Sequence, residues 1–147
     1  VRIYNGNTLA KLDLLSQAEE AGELEALADS ILEGNGHVSV AYSAKARVAF
    51  ARGDVQAFVQ NKLMAIRLAP YRHEEYLDYL AALVYSVKLY REAGDEESAR
   101  FCVERAKEIP RMLEEVKKRT SRLAWIINDR PEVTLSRENM ELIEEMK

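Results

Sequence analysis

The sequence predicts an all-α protein made of stacked antiparallel helical hairpins. Its 147 residues are rich in Ala, Leu, Glu, Lys and Arg, side chains that lose little conformational freedom in a helix, and they include only 3 Pro and 6 Gly. Apolar residues recur at steps of three and four, which is the period of an amphipathic helix. This pattern is interrupted at three similar places by a glycine and an acidic residue: Gly22-Glu23, Gly53-Asp54 and Gly94-Asp95.

Each of these pairs is interpreted as a tight joint between two helices. A glycine just after a helix end adopts the left-handed backbone found there, and the following acidic residue favours the N-terminus of the next helix. A joint of two or three residues makes the two helices antiparallel. The predicted hairpins cover residues 8–33, 38–68 and 73–108, with helices at 8–20, 24–33, 38–52, 55–68, 73–92 and 96–108.

The apolar positions justify these helices in order. In the first hairpin Leu14, Leu27 and Ile31 lie on either side of the joint. The second hairpin has one apolar face on its return helix: Val55, Phe58, Val59, Leu63, Ala65, Ile66 and Leu68. The third has a seam on each helix: Tyr76, Leu80, Leu83, Val87 and Tyr90, then Ala99, Cys102, Val103, Ala106 and Ile109.

The C-terminal part is predicted to close the stack. An apolar stripe continues through residues 111–127, which are interpreted as a capping helix that shields the last hairpin, although Thr120-Ser121 could divide it in two. The segment 128–131 (NDRP) ends that helix and residues 132–135 look extended. Ser136 then begins a last helix over 137–146, within a C-terminal extension of residues 128–147.

Composition limits the classes of partner. The formal net charge is −4, whereas a nucleic-acid-binding protein normally carries a basic surface. The densest basic run, residues 117–119 with Arg122, follows Glu114 and Glu115 on one predicted helix, which is typical of a solvated face with ion pairs. No apolar run reaches the length of a membrane span. Neither a nucleic-acid partner nor direct membrane insertion is expected.

Residues 39–70 carry a further pattern. They combine an early aromatic residue, small residues in both helices, the turn and a closing proline: Tyr42, Ala46, Gly53-Asp54, Ala65 and Pro70. This stretch resembles one tetratricopeptide repeat, a helix-turn-helix unit of about 34 residues. Residues 73–110 keep much of the same pattern, and the whole resemblance covers about residues 8–110.

The resemblance has clear departures. The glycines of the three joints are separated by 31 and 41 residues (53 − 22 and 94 − 53), and Lys62 stands where the family prefers an aromatic side chain. Asn35-Gly36 replaces a closing proline after the first unit. The repeat is therefore degenerate.

The resemblance implies a right-handed superhelix with a concave inner face, in which Ala46, Ala65, Ala99 and Ala106 lie at close contacts between helices. The first helix of each unit would line that face. The binding residues implied in this way are Ser43, Arg47, Phe50, Glu74, Leu77, Asp78, Ala81 and Tyr85. Arg47 and Asp78 could equally form an ion pair with each other. The Lys/Asn/Arg carboxylate clamp of the chaperone-binding subgroup is not matched, since only Arg47 is suggestive of it.

Residues 123–135 (LAWIINDRPEVTL), which follow the hairpins, resemble a second class of protein. They are similar to soluble C-terminal tails of bacterial membrane proteins of the O-antigen ligase or polymerase type. The first residue, Val1, agrees with the chain being the C-terminal part of a longer bacterial protein. This resemblance implies a location at the cytoplasmic or extracytoplasmic face of a membrane if upstream spans exist.

Residues that could carry chemistry are few. His37 and His73 have no partner at metal-ligand spacing, and Cys102 lies on an apolar stripe where a buried structural thiol is expected. Adjacent carboxylates such as Glu74-Glu75 point in different directions from a helix and do not make an acid/base dyad. We expect no catalytic residue, no metal, no cofactor and no enzymatic activity.

Three functions remain open. The first is a protein–protein interaction or assembly module that binds a protein, a peptide or another part of its own chain, as a monomer or a weak dimer. The second is an extramembrane regulatory tail of a polytopic membrane enzyme. The third is a helical enzyme domain with an unrecognised site.

Overall fold

The structure is a computed structural model in which residues 21–123 and 135–147 are described. Helices make up 85% of these residues, which contain no strand, and the predicted all-α class is confirmed. The described helices are α1 (Ala21–Gly34), α2 (Ser39–Ala51), α3 (Val55–Leu68), α4 (His73–Glu92), α5 (Glu96–Leu123) and α6 (Arg137–Met146). No helix in this part of the chain is both long and apolar enough to cross a membrane.

The chain divides into two compact units, an N-terminal unit (Val1–Ala69) and a C-terminal unit (Pro70–Lys147). In the N-terminal unit α2 packs against both α1 and α3. In the C-terminal unit α4 packs against α5, and α6 contacts both of them. The predicted helix at 8–20 and the extended segment at 132–134 lie outside the described residues.

The joint between α2 and α3 has the geometry predicted for it. Gly53 has φ = +77°, a left-handed conformation that costs glycine little because it has no Cβ. The N–H of Gly53 donates to the carbonyl of Phe50 (3.0 Å) and that of Asp54 to the carbonyl of Ala49 (2.9 Å). These two bonds satisfy carbonyls at the end of α2, as in a Schellman motif. The Asp54 carboxylate then caps α3 by accepting from the N–H of Ala57 at 3.1 Å.

The joint between α4 and α5 repeats this arrangement. Gly94 also has φ = +77°, and its N–H donates to the carbonyl of Arg91 at 3.1 Å. The N–H of Asp95 donates to the carbonyl of Tyr90 at 2.8 Å, and the Asp95 carboxylate accepts from the N–H of Ser98 at 3.1 Å. Hydrogen bonds from Ser98 hold the pKa of this carboxyl below its usual value. The two joints were therefore predicted correctly.

The remaining predicted joint, at Gly22-Glu23, is helical in the structure. Ala21, Gly22 and Glu23 belong to α1, which begins earlier than the predicted residue 24. Gly22 is exposed in the first turn of the helix, where nothing lies within 4 Å of a Cβ built on it. Glycine accepts helical dihedral angles at an entropic cost only, so Gly22 and the acidic Glu23 can both lie inside a helix.

The second correction concerns Pro110. Two helices were predicted, at 96–108 and 111–127, but α5 runs without interruption from Glu96 to Leu123 with Pro110 inside it. Proline lacks the N–H of the helical ladder and is unfavourable in a helix interior. The buried side chains of Ile109, Leu113 and Val116 lie on both sides of it and form one continuous inner stripe. Packing of this stripe outweighs the local preference of proline.

The four alanines that were expected at contacts between helices are all buried. Ala46, Ala65, Ala99 and Ala106 each have 0% of their surface exposed. Small side chains at such positions let helix backbones approach closely. Their burial in both units confirms this part of the prediction.

These positions allow a direct stability test. We expect Ala65→Leu and Ala106→Leu each to lower the free energy of unfolding by about 1–3 kcal/mol, because three extra carbons have no space at a fully buried contact. Ala26→Leu is the matched control, since Ala26 is exposed on α1. Urea denaturation followed by circular dichroism measures all three. Equal stability of the buried-site variants and the control would contradict the proposed packing.

The last helix, α6, begins after Ser136 as predicted. The Ser136 hydroxyl accepts from the N–H of Asn139 at 3.2 Å. Ile143 and Met146 are buried, and Arg91 of α4 donates through Nη2 to the Met146 carbonyl at 2.8 Å. The end of α6 is thereby attached to the C-terminal unit.

Candidate functional site

The residues predicted to bind a partner from the C-terminal unit share one face of α4. Glu74, Asp78, Ala81 and Tyr85 are exposed and Leu77 is half-buried. Their spacing of three or four residues places them on the same side of the helix. The opposite side of α4 is buried and contains Tyr76, Tyr79, Leu80, Leu83 and Val87. The amphipathic division of α4 therefore agrees with the sequence pattern.

The exposed face extends further than predicted. Lys88 and Leu89 follow Tyr85 on the same side, and Leu89 has 45% of its surface exposed. Leu77, Ala81, Tyr85 and Leu89 are four residues apart and form an apolar stripe, in which Tyr85 is 53% exposed. Leu89 was not among the residues that the resemblance implied. The four-residue spacing could have identified it.

The predicted residues of the N-terminal unit have varied environments. Ser43 is buried, and its Oγ accepts a hydrogen bond from Lys62 Nζ at 3.2 Å. Arg47 and Phe50 are half-buried. The Phe50 ring packs on Phe58 with centroids 5.5 Å apart and an interplanar angle of 55°. Ser43 therefore lies in the interior, and the binding role of Arg47 and Phe50 stays a prediction.

Lys62 explains one departure from the repeat pattern. It occupies the position where an aromatic side chain is preferred, and only 1% of its surface is exposed. Its aliphatic stem can fill apolar space as a ring would, but its ammonium needs polar partners because burying a charge without them is costly. Ser43 Oγ supplies one such partner. The burial of Ser43 and that of Lys62 are thus linked.

In the C-terminal unit, Tyr76 and Tyr79 are buried, whereas Tyr71 and Tyr85 are exposed. The Tyr76 hydroxyl donates to the Pro70 carbonyl at 2.7 Å, and burial raises its pKa to about 12. Burial, with the neighbouring Glu108 carboxylate, also raises the pKa of Tyr79. Both hydroxyls are neutral at physiological pH and belong to the packed interior. Tyr85 and Tyr71 instead expose large parts of their rings, which makes them candidates for contact with a partner.

Among the described residues, the cysteine and the two histidines are the other side chains that could react. Cys102 is fully buried, and this burial raises the pKa of its thiol to about 11, so the nucleophilic thiolate is scarce at neutral pH. His37 is exposed and His73 half-buried. Within the described part of the chain, no three His, Cys, Asp or Glu side chains form a group that could hold a metal ion.

A shallow cleft of about 300 Å³ lies between α4, α5 and α6. Its lining mixes cations with carboxylates, and several of these are bonded to one another or to the backbone. Lys107 Nζ lies 3.2 Å from Glu104 Oε1, and Arg91 donates to the Met146 carbonyl. The cleft thus has much of its charge already satisfied, and the exposed face of α4 is the stronger candidate for a site.

No protein-family model, curated protein or solved structure matches this chain. Its function is therefore inferred from the geometry and chemistry of its own residues.

Proposed function

We propose that this chain is a protein–protein interaction or assembly module of tetratricopeptide-like architecture, which binds a protein or peptide through the exposed face of α4. The observation that carries the proposal is the apolar stripe of Leu77, Ala81, Tyr85 and Leu89. Contiguous apolar surface on a small protein is typical of an interaction site. Tyr85 is well suited to such a site, since tyrosine offers a large contact area and is common at binding hot spots.

The surroundings of the stripe also support recognition. Asp78 lies near its N-terminal end and Lys88 near its C-terminal end, and both are exposed. Charged residues at the edge of an apolar contact guide encounter and select orientation more than they increase affinity. The apolar stripe would therefore supply most of the affinity, and the flanking charges would select the partner and its orientation.

Two features of the separate units support the tetratricopeptide-like part of the proposal. Within the described residues, each unit contains a helical hairpin closed by a positive-φ glycine and an acidic cap. Each hairpin also buries alanines completely at the positions that the repeat pattern implies. A hairpin of this kind normally stacks on neighbours to bury its apolar faces, and such stacks present extended binding surfaces.

Site-specific photo-crosslinking tests the proposal. A photoreactive phenylalanine analogue is placed at Tyr85 or Leu89, with Lys118 on α5 as the control, because its side chain is 73% exposed and lies outside the α4 face. We expect irradiation in cells that express the chain to link Tyr85 and Leu89 to a discrete protein product, identified by mass spectrometry, and Lys118 to give none. The same yield at all three positions would contradict the proposal.

The affinity for the identified partner provides the second measurement. Because a buried tyrosine at the centre of an interface is a typical hot spot, Tyr85→Ala is expected to weaken binding by about tenfold or more. Circular dichroism checks that the variant is folded, and Lys118→Ala serves as the control. Unchanged affinity for Tyr85→Ala would place the binding surface elsewhere.

A further inference from the structure

The exposed face of α4 is complementary to itself about the midpoint of the stripe, at the level of Leu83. Residues equally far from this point form matched pairs, six, five and two positions on either side of it. Leu77 corresponds to Leu89, Asp78 to Lys88, and Ala81 to Tyr85. The pairs join apolar with apolar, acid with base, and small with large.

These six residues also lie on one side of the helix. At about 100° per residue they fall within an arc of about 120°, which is the width that one helix presents to another. All except the half-buried Leu77 are exposed. The buried residues of α4, among them Tyr79 and Leu83, occupy the opposite arc and hold the helix in the C-terminal unit.

We propose that the partner of this face is a second copy of the chain, whose α4 packs antiparallel to the first across a twofold axis at the level of Leu83. This inference rests on the proposed interaction function and names its partner. A twofold contact uses the same patch on both copies, so a residue and its mate must meet twice. The Tyr85 ring of each copy then lies over Ala81 of the other, and Asp78 faces Lys88 on both sides of the axis.

The register is specific. In an antiparallel pair with axes about 8–10 Å apart, the three matches occur together only when Leu83 of the two copies is at the same level. A parallel pair in the same register would bring Asp78 near Asp78 and Lys88 near Lys88. The one unfavourable meeting is that of Glu74 with Glu92 at the exposed helix ends, where water and salt screen the repulsion. A single pair of helices buries less than a standard interface, so the dimer is weak and reversible.

Charge exchange in the purified chain tests this arrangement. Asp78→Lys and Lys88→Asp each bring like charges together twice, and each is expected to weaken dimerisation by about tenfold or more. An equimolar mixture of the two variants restores opposite charges at both contacts and is expected to form a heterodimer. The double variant is expected to recover the homodimer. Sedimentation velocity over a concentration series from micromolar to millimolar measures all four cases.

Two further variants separate this effect from general changes in charge or folding. Lys118→Asp makes the same change of charge as Lys88→Asp but lies away from the face, and it is expected to dimerise like the parent. Leu89→Ala at an exposed position removes apolar contact area without adding a charge beside either ion pair, and it is expected to weaken dimerisation. Circular dichroism establishes that each variant is folded.

The possible outcomes distinguish this inference from the proposed function. A parent chain that stays monomeric throughout, or single variants that dimerise like the parent, would overturn the twofold contact. Dimerisation that is lost in the single variants but not recovered in their mixture would overturn it as well. A photo-crosslink from Tyr85 to a different protein, with a monomeric parent, would leave the interaction function standing and exclude the second copy as its partner.

Discussion

Leu83→Ala is expected to lower the free energy of unfolding of the C-terminal unit by about 2–5 kcal/mol, as truncation of a buried leucine usually does. Leu83 has 0% of its surface exposed, on the inner side of α4. The change removes three carbons from the buried side of α4 and leaves a cavity in the core of the C-terminal unit. Because folded domains are marginally stable, a loss of this size is a large fraction of the total.

Leu89→Ala is the matched control for this prediction. It removes the same atoms from the same helix, but Leu89 is 45% exposed, so the expected loss is within about 0.5 kcal/mol. Dimerisation is expected to be weakened more by Leu89→Ala than by Leu83→Ala, since Leu89 belongs to the proposed contact surface and Leu83 does not. Urea denaturation at low protein concentration and sedimentation at high concentration separate the two effects. Similar losses of stability in the two variants would mean that the two sides of α4 are not distinct.

The features that were predicted correctly are those set by nearby residues. The joints at Gly53 and Gly94 need only a left-handed glycine and an acidic cap, both of which are visible in a few letters of sequence. The burial of Ala65 and Ala106 follows from the helical period of the surrounding apolar residues. The final helix was predicted because Ser136 can cap Asn139 locally.

The features that were missed depend on residues distant in sequence. Proline predicts a helix end at Pro110, yet α5 continues through it with Ile109 and Leu113 buried on either side. Lysine is rarely buried, so only the tertiary structure places Lys62 beside Ser43 in the interior. Ser43 was assigned to a binding face by its position in the repeat pattern, which does not account for a polar partner 19 residues away.

The candidate site shows the same division. The exposed side of α4 follows from the period of its buried side, and five of its residues were predicted from the repeat pattern. Its extension to Lys88 and Leu89, and therefore its symmetry about Leu83, depended on the exposure of each side chain in the structure. A twofold partner is a property of the complete face and is not visible in a motif.

Pro110→Ala is expected to stabilise the C-terminal unit by about 1–3 kcal/mol. Alanine supplies the N–H that an uninterrupted helix would direct to the carbonyl of Ala106, and it removes the ring that crowds the preceding turn, an advantage of about 3 kcal/mol in a helix interior. Alanine also gives the unfolded chain more conformational freedom than proline does, which reduces the expected stabilisation by about 0.4–1 kcal/mol. For a unit of this size, each kcal/mol gained raises the melting temperature by about 4–8 °C, which thermal circular dichroism resolves.

Pro70→Ala isolates the helical part of this gain. Pro70 precedes α4 and lies outside any helix, so the same substitution there changes the unfolded chain without completing a helical ladder. Its expected effect is neutral or slightly destabilising. If Pro110→Ala also lowered the melting temperature, the backbone geometry that proline imposes would be needed to place Ile109 and Leu113 in the core. In that case Pro110 would help to determine the fold, because burial of the inner stripe of α5 would depend on the backbone geometry at this proline.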